Sequence, residues 1–407
     1  MKRHLTEDEI NQAKGSKAIR DDMMTRIEKV LEIGNTRLVT VDGQDPETGY
    51  KMGVYRMTRR VATEDAIRQF CDAVDDLNPL YRSRDYAKNN CFGRIIAPAQ
   101  FLGAIAPYSG IAKATEELNF HTSRLDAGVS MEWFKPIYEG DSFTVHEYPT
   151  AIKDLTRENT ALQFLVEGDR IFKKQTGEIV AIAHISGIAV VVAPPSGNNK
   201  QIGRKVVMHR FSEKEIEDWY ALMEAEEIRG GVSRFWEDVR EGDSLPSTHH
   251  VFSMTEHIAY NAAMGKSYSW RQQMATRKDS WHQAVDPDSG LPDFTNLHLT
   301  DAASQRMGMP YANALGAQMR AWLGRMLGHW MGDDGFIKKM SDQVRGILYR
   351  ESFVLCKGKV TKKYIENSEH LVDISMTLED HNGGLIIPKG SATVRLPSRK
   401  IGSSSIL

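Results

Sequence analysis

The sequence contains few cysteines, and their spacing suits neither zinc nor disulfides. Its 407 residues include only Cys71, Cys91 and Cys356. Their number is odd and no C-x-x-C pair occurs, whereas disulfide frameworks use even sets and zinc clusters use closely spaced pairs. We therefore expect a reducing compartment and no metal.

Long apolar runs and an excess of charge are also missing. No stretch reaches the roughly 18–20 apolar residues of a membrane-spanning helix. The basic first residues precede no apolar segment and the ending SSSIL is no peroxisomal address, so we expect a cytoplasmic protein without a membrane partner. A formal net charge of -2 provides no field to hold a polyanion, so nucleic acid is not an expected partner.

Motifs for cofactors are absent too, since G-x-G-x-x-G, Walker and H-E-x-x-H patterns do not occur. No redox cofactor or catalytic metal is implied. What is present is an ordinary globular composition, with 41% hydrophobic and 26% charged residues. The length allows two or three domains, or one large pseudo-symmetric body.

One order of predicted elements occurs twice along the chain. Residues 58–193 predict a capped helix, a helix that begins among small residues, and a series of strands. Residues 206–407 predict the same order again. Between them, residues 194–205 are rich in Pro, Gly, Ser and Asn, which is typical of a linker. Residues 1–57 are expected to form an N-terminal helical arm.

The two capped helices can be located from their first residues. Thr63, followed by two acidic residues, predicts the start of one helix, and Pro79 is expected to end it. Ser253 or Thr255 can cap the other. A further helix is expected over the segment MPYANALGAQMRAWLGRMLGHWMG, which follows the second capped helix.

Each half has a short acidic segment after its first helix. DDLNPLYRS (75–83) has Asp76 five residues before Tyr81. DFTNLHLTD (293–301) has Asp293 five residues before His298. The two aspartates are 217 residues apart, an offset similar to that of other matching points in the two halves.

The segment DLNPLY, followed by FGRIIAPAQFL, resembles the MaoC-like dehydratases, or (R)-specific enoyl-CoA hydratases, whose signature is D-x-N-P-[LIV]-H. The resemblance implies an α+β hot-dog fold, a long central helix wrapped by an antiparallel sheet, here as a double hot dog. It also implies reversible hydration of a trans-2-enoyl-CoA, with an acyl-CoA thioester as partner and no cofactor. Degenerate first copies in this family often make room for bulky acyl groups, so a bulky chain is expected.

The chemistry of the motif indicates which copy is active. Hydration needs a water held between a proton acceptor and a proton donor. Because a phenol has a pKa of about 10, Tyr81 would be a weak base near neutral pH, and we expect Asp76 only to satisfy backbone amides. By the resemblance, Asp293 and His298 would activate the water. Residues 265–292 form an insertion before this motif, and its side chains His282, Asp286 and Asp288 are the fallback candidates.

The thioester oxygen would need donors, for which the family uses backbone N–H groups at the start of the central helix. The matching residues are Asn313 and Ala314, although such small residues also allow close packing. Coenzyme A phosphates could meet the basic clusters Arg59-Arg60, Arg204-Lys205, Lys338-Lys339 and Lys357 to Lys363, which could equally be solvated faces. The aromatic residues that could pack the core or line an acyl tunnel are Trp133, Phe134, Trp322 and Trp330.

Two other functions fit the same fold. One is an acyl-CoA thioesterase, in which water attacks the carbonyl. The other is a non-catalytic subunit that binds an acyl thioester. A monomer or a homodimer of double units is possible, because a double copy already pairs two sheets internally.

Overall fold

The computed structural model describes residues 5–33, 38–39, 61–106, 122–158, 160–191, 206–265, 284–286, 288–293, 297–306 and 308–400. The predicted linker lies outside these residues, so it stays a prediction. None of the described helices is both long and apolar enough to cross a membrane.

The strands fall into one large sheet and two small ones. Their bounds are β1 Leu38–Val39, β2 Ile96–Ala97, β3 Thr122–Trp133, β4 Ile137–Tyr138, β5 Phe143–Asp154, β6 Gln163–Lys174, β7 Ile179–Val191, β8 Thr248–Phe252, β9 Ala284–Val285, β10 Pro292–Asp293, β11 Phe336–Gln343, β12 Ser352–Glu366, β13 Glu369–Asp380 and β14 Leu385–Arg395. The large sheet has the order β1-β5-β6-β7-β3-β11-β14-β13-β12-β8, and β2 pairs β4 as β9 pairs β10.

The large sheet consists of two mirrored halves. In the first half β3 lies at the centre with β7, β6 and β5 outward, and in the second β11 lies at the centre with β14, β13 and β12 outward. The halves join through the antiparallel pair β3 and β11, where Met131 lies opposite Met340. Both methionines are buried. The strand order outward from this join is therefore equivalent in the two halves.

The helices are α1 Glu7–Gly15, α2 Lys17–Ile33, α3 Glu64–Ala73, α4 Arg84–Lys88, α5 Leu102–Ile105, α6 Glu213–Glu224, α7 Met254–Ala263, α8 Asp301–Arg306 and α9 Gly316–Met331. Every residue of α9 from Gln318 to Met331 is buried. A helix buried on all sides is the centre of a core, and α9 therefore fits the expected central helix of the second half. Together with the antiparallel sheet, these helices give an α+β architecture.

The two capped helices are confirmed. The Thr63 side chain accepts from the Ala66 amide at the start of α3, and Ser253 caps α7 in the same way. Phe70 and Tyr260 each lie seven residues after their cap, and their ring centres are 6.1 Å apart. The matching helices of the two halves thus pack against each other at equivalent positions.

Two predicted helix boundaries are wrong. Helix α3 ends at Ala73 and not at Pro79. Asp75, with φ of 59°, turns the chain through the left-handed region, and Pro79 instead begins a 3-10 turn over Pro79–Tyr81. Helix α9 begins at Gly316, whereas Asn313, predicted at its start, lies in an isolated β-bridge with Tyr349.

Candidate functional site

His298 in the second half is held by the backbone ahead of α9. The ring is half-buried, and its Nδ1 lies 2.9 Å from the carbonyl oxygen of Asn313. A carbonyl oxygen only accepts hydrogen bonds, so Nδ1 carries the proton and, in the neutral ring, Nε2 carries the lone pair. This tautomer presents Nε2 as a base.

The proposed partner of His298, Asp293, is described only through its backbone. Asp293 pairs with Ala284 where β10 meets β9, but its side chain lies outside the described part of the chain. The pairing of its carboxyl with His298 therefore stays a prediction.

The fallback residues of the insertion show no catalytic arrangement where they are described. The Asp286 carboxylate accepts from the hydroxyl and the amide of Ser289, each at 2.7 Å, and these bonds lower its pKa. Asp286 thus closes a turn, and Asp288 is exposed. His282 lies outside the described residues.

The expected oxyanion donors are occupied or displaced. The Ala314 amide donates to the carbonyl oxygen of Leu348 at 2.9 Å, so a role in binding the thioester oxygen would require that bond to break. Asn313 lies in the β-bridge, and its side-chain amide reaches the carbonyl oxygen of Leu297 at 3.3 Å. Asn313 therefore fixes the His298 loop from both its backbone and its side chain.

A buried polar cluster beside His298 was missed in the sequence. His257 Nδ1 lies 2.6 Å from Gln318 Oε1, and Asn261 Nδ2 lies 3.0 Å from His257 Nε2. All three residues are almost fully buried, and the ring centres of His257 and His298 are 6.3 Å apart. The available signal was polar residues four and eight positions after the Ser253 cap, on a helix face expected to be buried.

Gln318 has an unpaired hydrogen-bond donor among the described residues. Its Nε2 is buried without a hydrogen-bond partner among the described residues. An unsatisfied buried donor costs about 1–3 kcal/mol, so such a group often indicates a bound ligand or water. The Gln318 amide lies in the first turn of α9.

The motif of the first half forms the turn that was expected. Asp76 Oδ1 accepts from the Asn78 amide at 3.0 Å, and Asn78 Oδ1 accepts from the Leu80 amide at 3.0 Å. Asp76 and Asn78 are each only 2% exposed. The side-chain amide of Asn78 also donates to Asp333, just beyond α9, at 3.0 Å, which ties the first motif to the second half.

A cavity of about 50 Å³ lies beside this turn. Asp76, Tyr81 and Asp333 contribute its acidic and phenolic wall, and α9 contributes Gly324 and Gly328. The remaining wall is largely apolar and includes Leu80, Phe92, Ile96, Trp133, Met331, Phe336 and Ile337. Burial, with Asp76 nearby, raises the pKa of Tyr81 well above its ordinary value. The phenol is therefore protonated near neutral pH, so it can donate a hydrogen bond but is a weak base, as the sequence suggested.

His329 of α9 was not singled out from the sequence. It is 5% exposed, and its Nε2 lies 3.5 Å from Asp76 Oδ1. Neither ring nitrogen makes a hydrogen bond within the described residues. The second half thus brings an imidazole to the aspartate of the first motif.

The basic clusters are mostly paired where they are described. Lys338 contacts Glu369 at 3.1 Å, Lys339 contacts Glu132 and Lys357 contacts Glu379 at 2.8 Å. These pairs favour the interpretation as solvated faces, while Arg59-Arg60 and Arg204-Lys205 lie outside the described residues. Of the four aromatics, Phe134 is exposed and the three tryptophans are buried.

Comparisons with known proteins agree with the architecture. A family model for the FAS1-like dehydratase domain region matches residues 50–183. A curated UPF0336 protein of Thermobifida fusca is 36% identical over 95 residues, which are 23% of this chain and 62% of that relative's length. The chain therefore spans less than two thirds of the curated relative that it matches.

Two solved structures show the fold. One, described as a MaoC-like dehydratase, has a TM-score of 0.60 at 16% identity and covers 83% of this chain and 95% of its own. The other, from Mycobacterium tuberculosis and described as a double hot dog, has a TM-score of 0.50 at 8% identity and covers 83% and 92%. With the family model, these confirm the resemblance to the MaoC-like hot-dog dehydratases.

Proposed function

Because the chain resembles the MaoC-like hot-dog dehydratases, we propose that it interconverts a trans-2-enoyl-CoA and a 3-hydroxyacyl-CoA, with the second copy active. The mirrored sheet and the double-hot-dog neighbour support a double hot dog as its architecture. The acyl-CoA substrate, the bulky acyl chain, a homodimer and the cytoplasmic location stay predictions.

The observation that carries this proposal is the fixed tautomer of His298. Its Nδ1–H donates to Asn313, so Nε2 is the basic nitrogen of the neutral ring. In the proposed hydration an O–H bond of water breaks and its proton passes to Nε2. The oxygen bonds to C3 of the enoyl group, and the proton is then returned to C2. Asp293 is proposed to orient the same water.

For the thioester oxygen we propose the Gln318 side-chain amide in place of the Ala314 amide. Gln318 Nε2 has no hydrogen-bond partner among the described residues, whereas the Ala314 amide donates to Leu348. A donor aimed at the developing enolate oxygen is among the largest contributions to such reactions. Gln318 also contacts His257, which holds its carbonyl side and leaves the NH₂ group for the ligand.

The test is a kinetic assay with a panel of enoyl-CoA thioesters of increasing chain length. Hydration removes the enoyl absorbance without releasing thiol. We expect His298→Ala to lower kcat by about 10²–10⁴-fold, the usual contribution of a positioned acid or base. His184, an exposed histidine paired with Asp169, gives the matched control His184→Ala, which should leave kcat unchanged.

Each other outcome identifies a different function. Release of free thiol by the wild type would indicate a thioesterase. Binding of the thioesters without either change would indicate a non-catalytic subunit. Full activity of His298→Ala would contradict the assignment of the second copy.

A further inference from the structure

Asp76, the aspartate of the first motif, can offer a carboxylate oxygen to a ligand. Its Oδ1 accepts from the Asn78 amide and lies near His329 Nε2. Both of these contacts use Oδ1, and Asp76 lines the cavity, so Oδ2 can meet a ligand there. Asp76 is 2% exposed, and a nearly buried carboxylate in a cavity wall can bind a ligand as well as cap a turn, because a buried charge is costly unless it is paired.

The imidazole behind Asp76 is also unexplained by the fold. His329 is buried in the core with no hydrogen bond to either nitrogen from the described residues. Its Nε2 lies 3.5 Å from Asp76 Oδ1, which is long for a hydrogen bond. Such bonds in unliganded sites are often long and tighten when the ligand arrives. A proton on Nε2 would then hold Oδ1 and direct Oδ2 into the cavity.

The rest of the cavity indicates what it would bind. Tyr81 supplies a phenol that burial keeps protonated near neutral pH, and Asp76 supplies an acceptor. An oxygen that accepts from the phenol and donates to the carboxylate is a hydroxyl group or a water. The apolar wall and a volume of about 50 Å³ leave room for roughly three to five water-sized groups, enough for a hydroxyl and two or three carbons.

The cavity also reaches the surface beside a cation. Lys135 lines it and is exposed. No ion pair of Lys135 is formed within the described part of the chain. An ammonium group at the mouth of a cavity for a hydroxylated carbon chain suits a negatively charged carrier outside it.

We propose that the first copy holds a second ligand site, for the 3-hydroxyacyl end of a coenzyme A thioester. Tyr81 donates to the 3-hydroxyl, the hydroxyl donates to Asp76 Oδ2, and Lys135 meets the carrier. His329, from the other copy, is the positioning residue that holds Asp76 and takes the place of the imidazole that the first motif lacks. The choice of thioester, and the equivalent expected at the second copy in the test below, rest on the proposed function.

Calorimetric titration with 3-hydroxybutyryl-CoA tests this site directly. The wild type should bind two equivalents per chain, one at each copy. Asp76→Asn keeps the turn but removes the charge, and Gly328→Ala adds a methyl group whose carbon would lie 3.7 Å from Tyr81 Oη, an ordinary contact. Both variants should bind one equivalent. The matched control Asp72→Asn removes an exposed charge four residues before Asp76, near the end of α3, and should still bind two.

The outcomes separate this inference from the proposed activity. If the wild type binds one equivalent and Asp76→Asn binds none, the first-copy site is supported and the second-copy site is contradicted. If the wild type and Asp76→Asn each bind one equivalent, the first-copy site is overturned. It is also overturned if the wild type binds no thioester.

The positioning role of His329 has its own readout. His329→Leu should weaken the first-copy site by about tenfold or more, as expected for loss of a hydrogen bond to a charged group. His329→Gln, whose amide can donate from a similar place, should restore the affinity to within about threefold of the wild type. Urea unfolding midpoints check that both variants fold. Equal affinities of the wild type and His329→Leu would overturn the role.

Discussion

The buried arginine between the two halves gives the sharpest test of how they are joined. Arg320 of α9 reaches Asp342 of β11 at 2.5 Å and Asp126 of β3 at 2.8 Å. The side chains of Arg320 and Asp342 are 4% and 1% exposed, and that of Asp126 is 20% exposed. One guanidinium therefore neutralises a carboxylate from each half of the sheet.

Replacing this arginine by methionine removes the cation while keeping most of the side-chain volume. Breaking a buried pair by removing one partner costs about 3–5 kcal/mol, because a charge is left buried without compensation. Most of that cost should come from Asp342, since Asp126 retains contact with water. We therefore expect Arg320→Met to lose about 3–5 kcal/mol of unfolding free energy at neutral pH.

The loss should depend on pH in a defined direction. Burial raises the pKa of Asp342 above its ordinary value, and Arg320 opposes that rise. Without Arg320 the pKa of Asp342 in the folded state should rise further. A carboxyl whose folded pKa is raised destabilises the fold as pH rises through that pKa. The difference in unfolding free energy between Arg320→Met and the wild type should therefore be largest at neutral pH and smaller in mild acid.

Urea unfolding midpoints measured at neutral and mildly acidic pH check both expectations. Arg399→Met, which breaks the exposed pair with Asp238, is the control and should change the midpoint little. Adding Asp342→Asn to Arg320→Met should recover part of the loss, because the uncompensated charge is gone. An unchanged midpoint in Arg320→Met would refute the argument. A difference in midpoint between this variant and the wild type that increases in acid would also refute it.

Three further changes follow from the packing and the charges. Burial raises the pKa of Glu256 from 4.5 to about 8, so the wild type should lose stability as pH rises through this window, and Glu256→Gln should remove that part of the loss in pH-dependent urea midpoints. In Gly324→Ala the new Cβ would lie 2.1 Å from Gln100 Cδ, so urea unfolding should show a loss of about 1–3 kcal/mol of unfolding free energy. The loss in Gly328→Ala should be smaller. Thr63→Ala removes the cap of α3 and should cost about 1 kcal/mol in the same measurement; an unchanged midpoint would contradict the cap.

Local signals predicted much of the fold. The sequence predicted Thr63 as one cap and Ser253 or Thr255 as the other, because a capping side chain and the amide it accepts from lie within three residues of each other. The duplicated order of elements was visible because each half carries its own helices and strands. The turn role of Asp76 followed from the same short-range chemistry.

Contacts between the halves could not be predicted in this way. In the sequence, His329 is a single histidine near the end of an apolar helix. No neighbouring residue in the chain indicates that it contacts Asp76. Arg320 likewise depends on Asp126 from the other half. The end of α3 was misplaced for a different reason, since Asp75 adopts a left-handed conformation that is uncommon outside glycine.

The distribution of buried polar groups shows how the two copies have diverged. Four and eight residues after the cap, the first copy has Ile67 and Cys71, while the second has His257 and Asn261, all of them buried. Polar side chains in a core are costly unless they are paired or bind a ligand. In the second copy His257 contacts Gln318 of α9 and lies near His298. In the first copy the polar groups lie instead towards the end of α9.

One central helix can therefore serve two sites. Gln318 and Gly328 are ten residues apart on α9, which at 1.5 Å per residue separates them by about 15 Å along the axis. Loss of the motif histidine in the first copy would leave Asp76 without an imidazole, but His329 near the end of the same helix supplies one. A substitution near the start of α9 should therefore alter one site, and a substitution near its end the other.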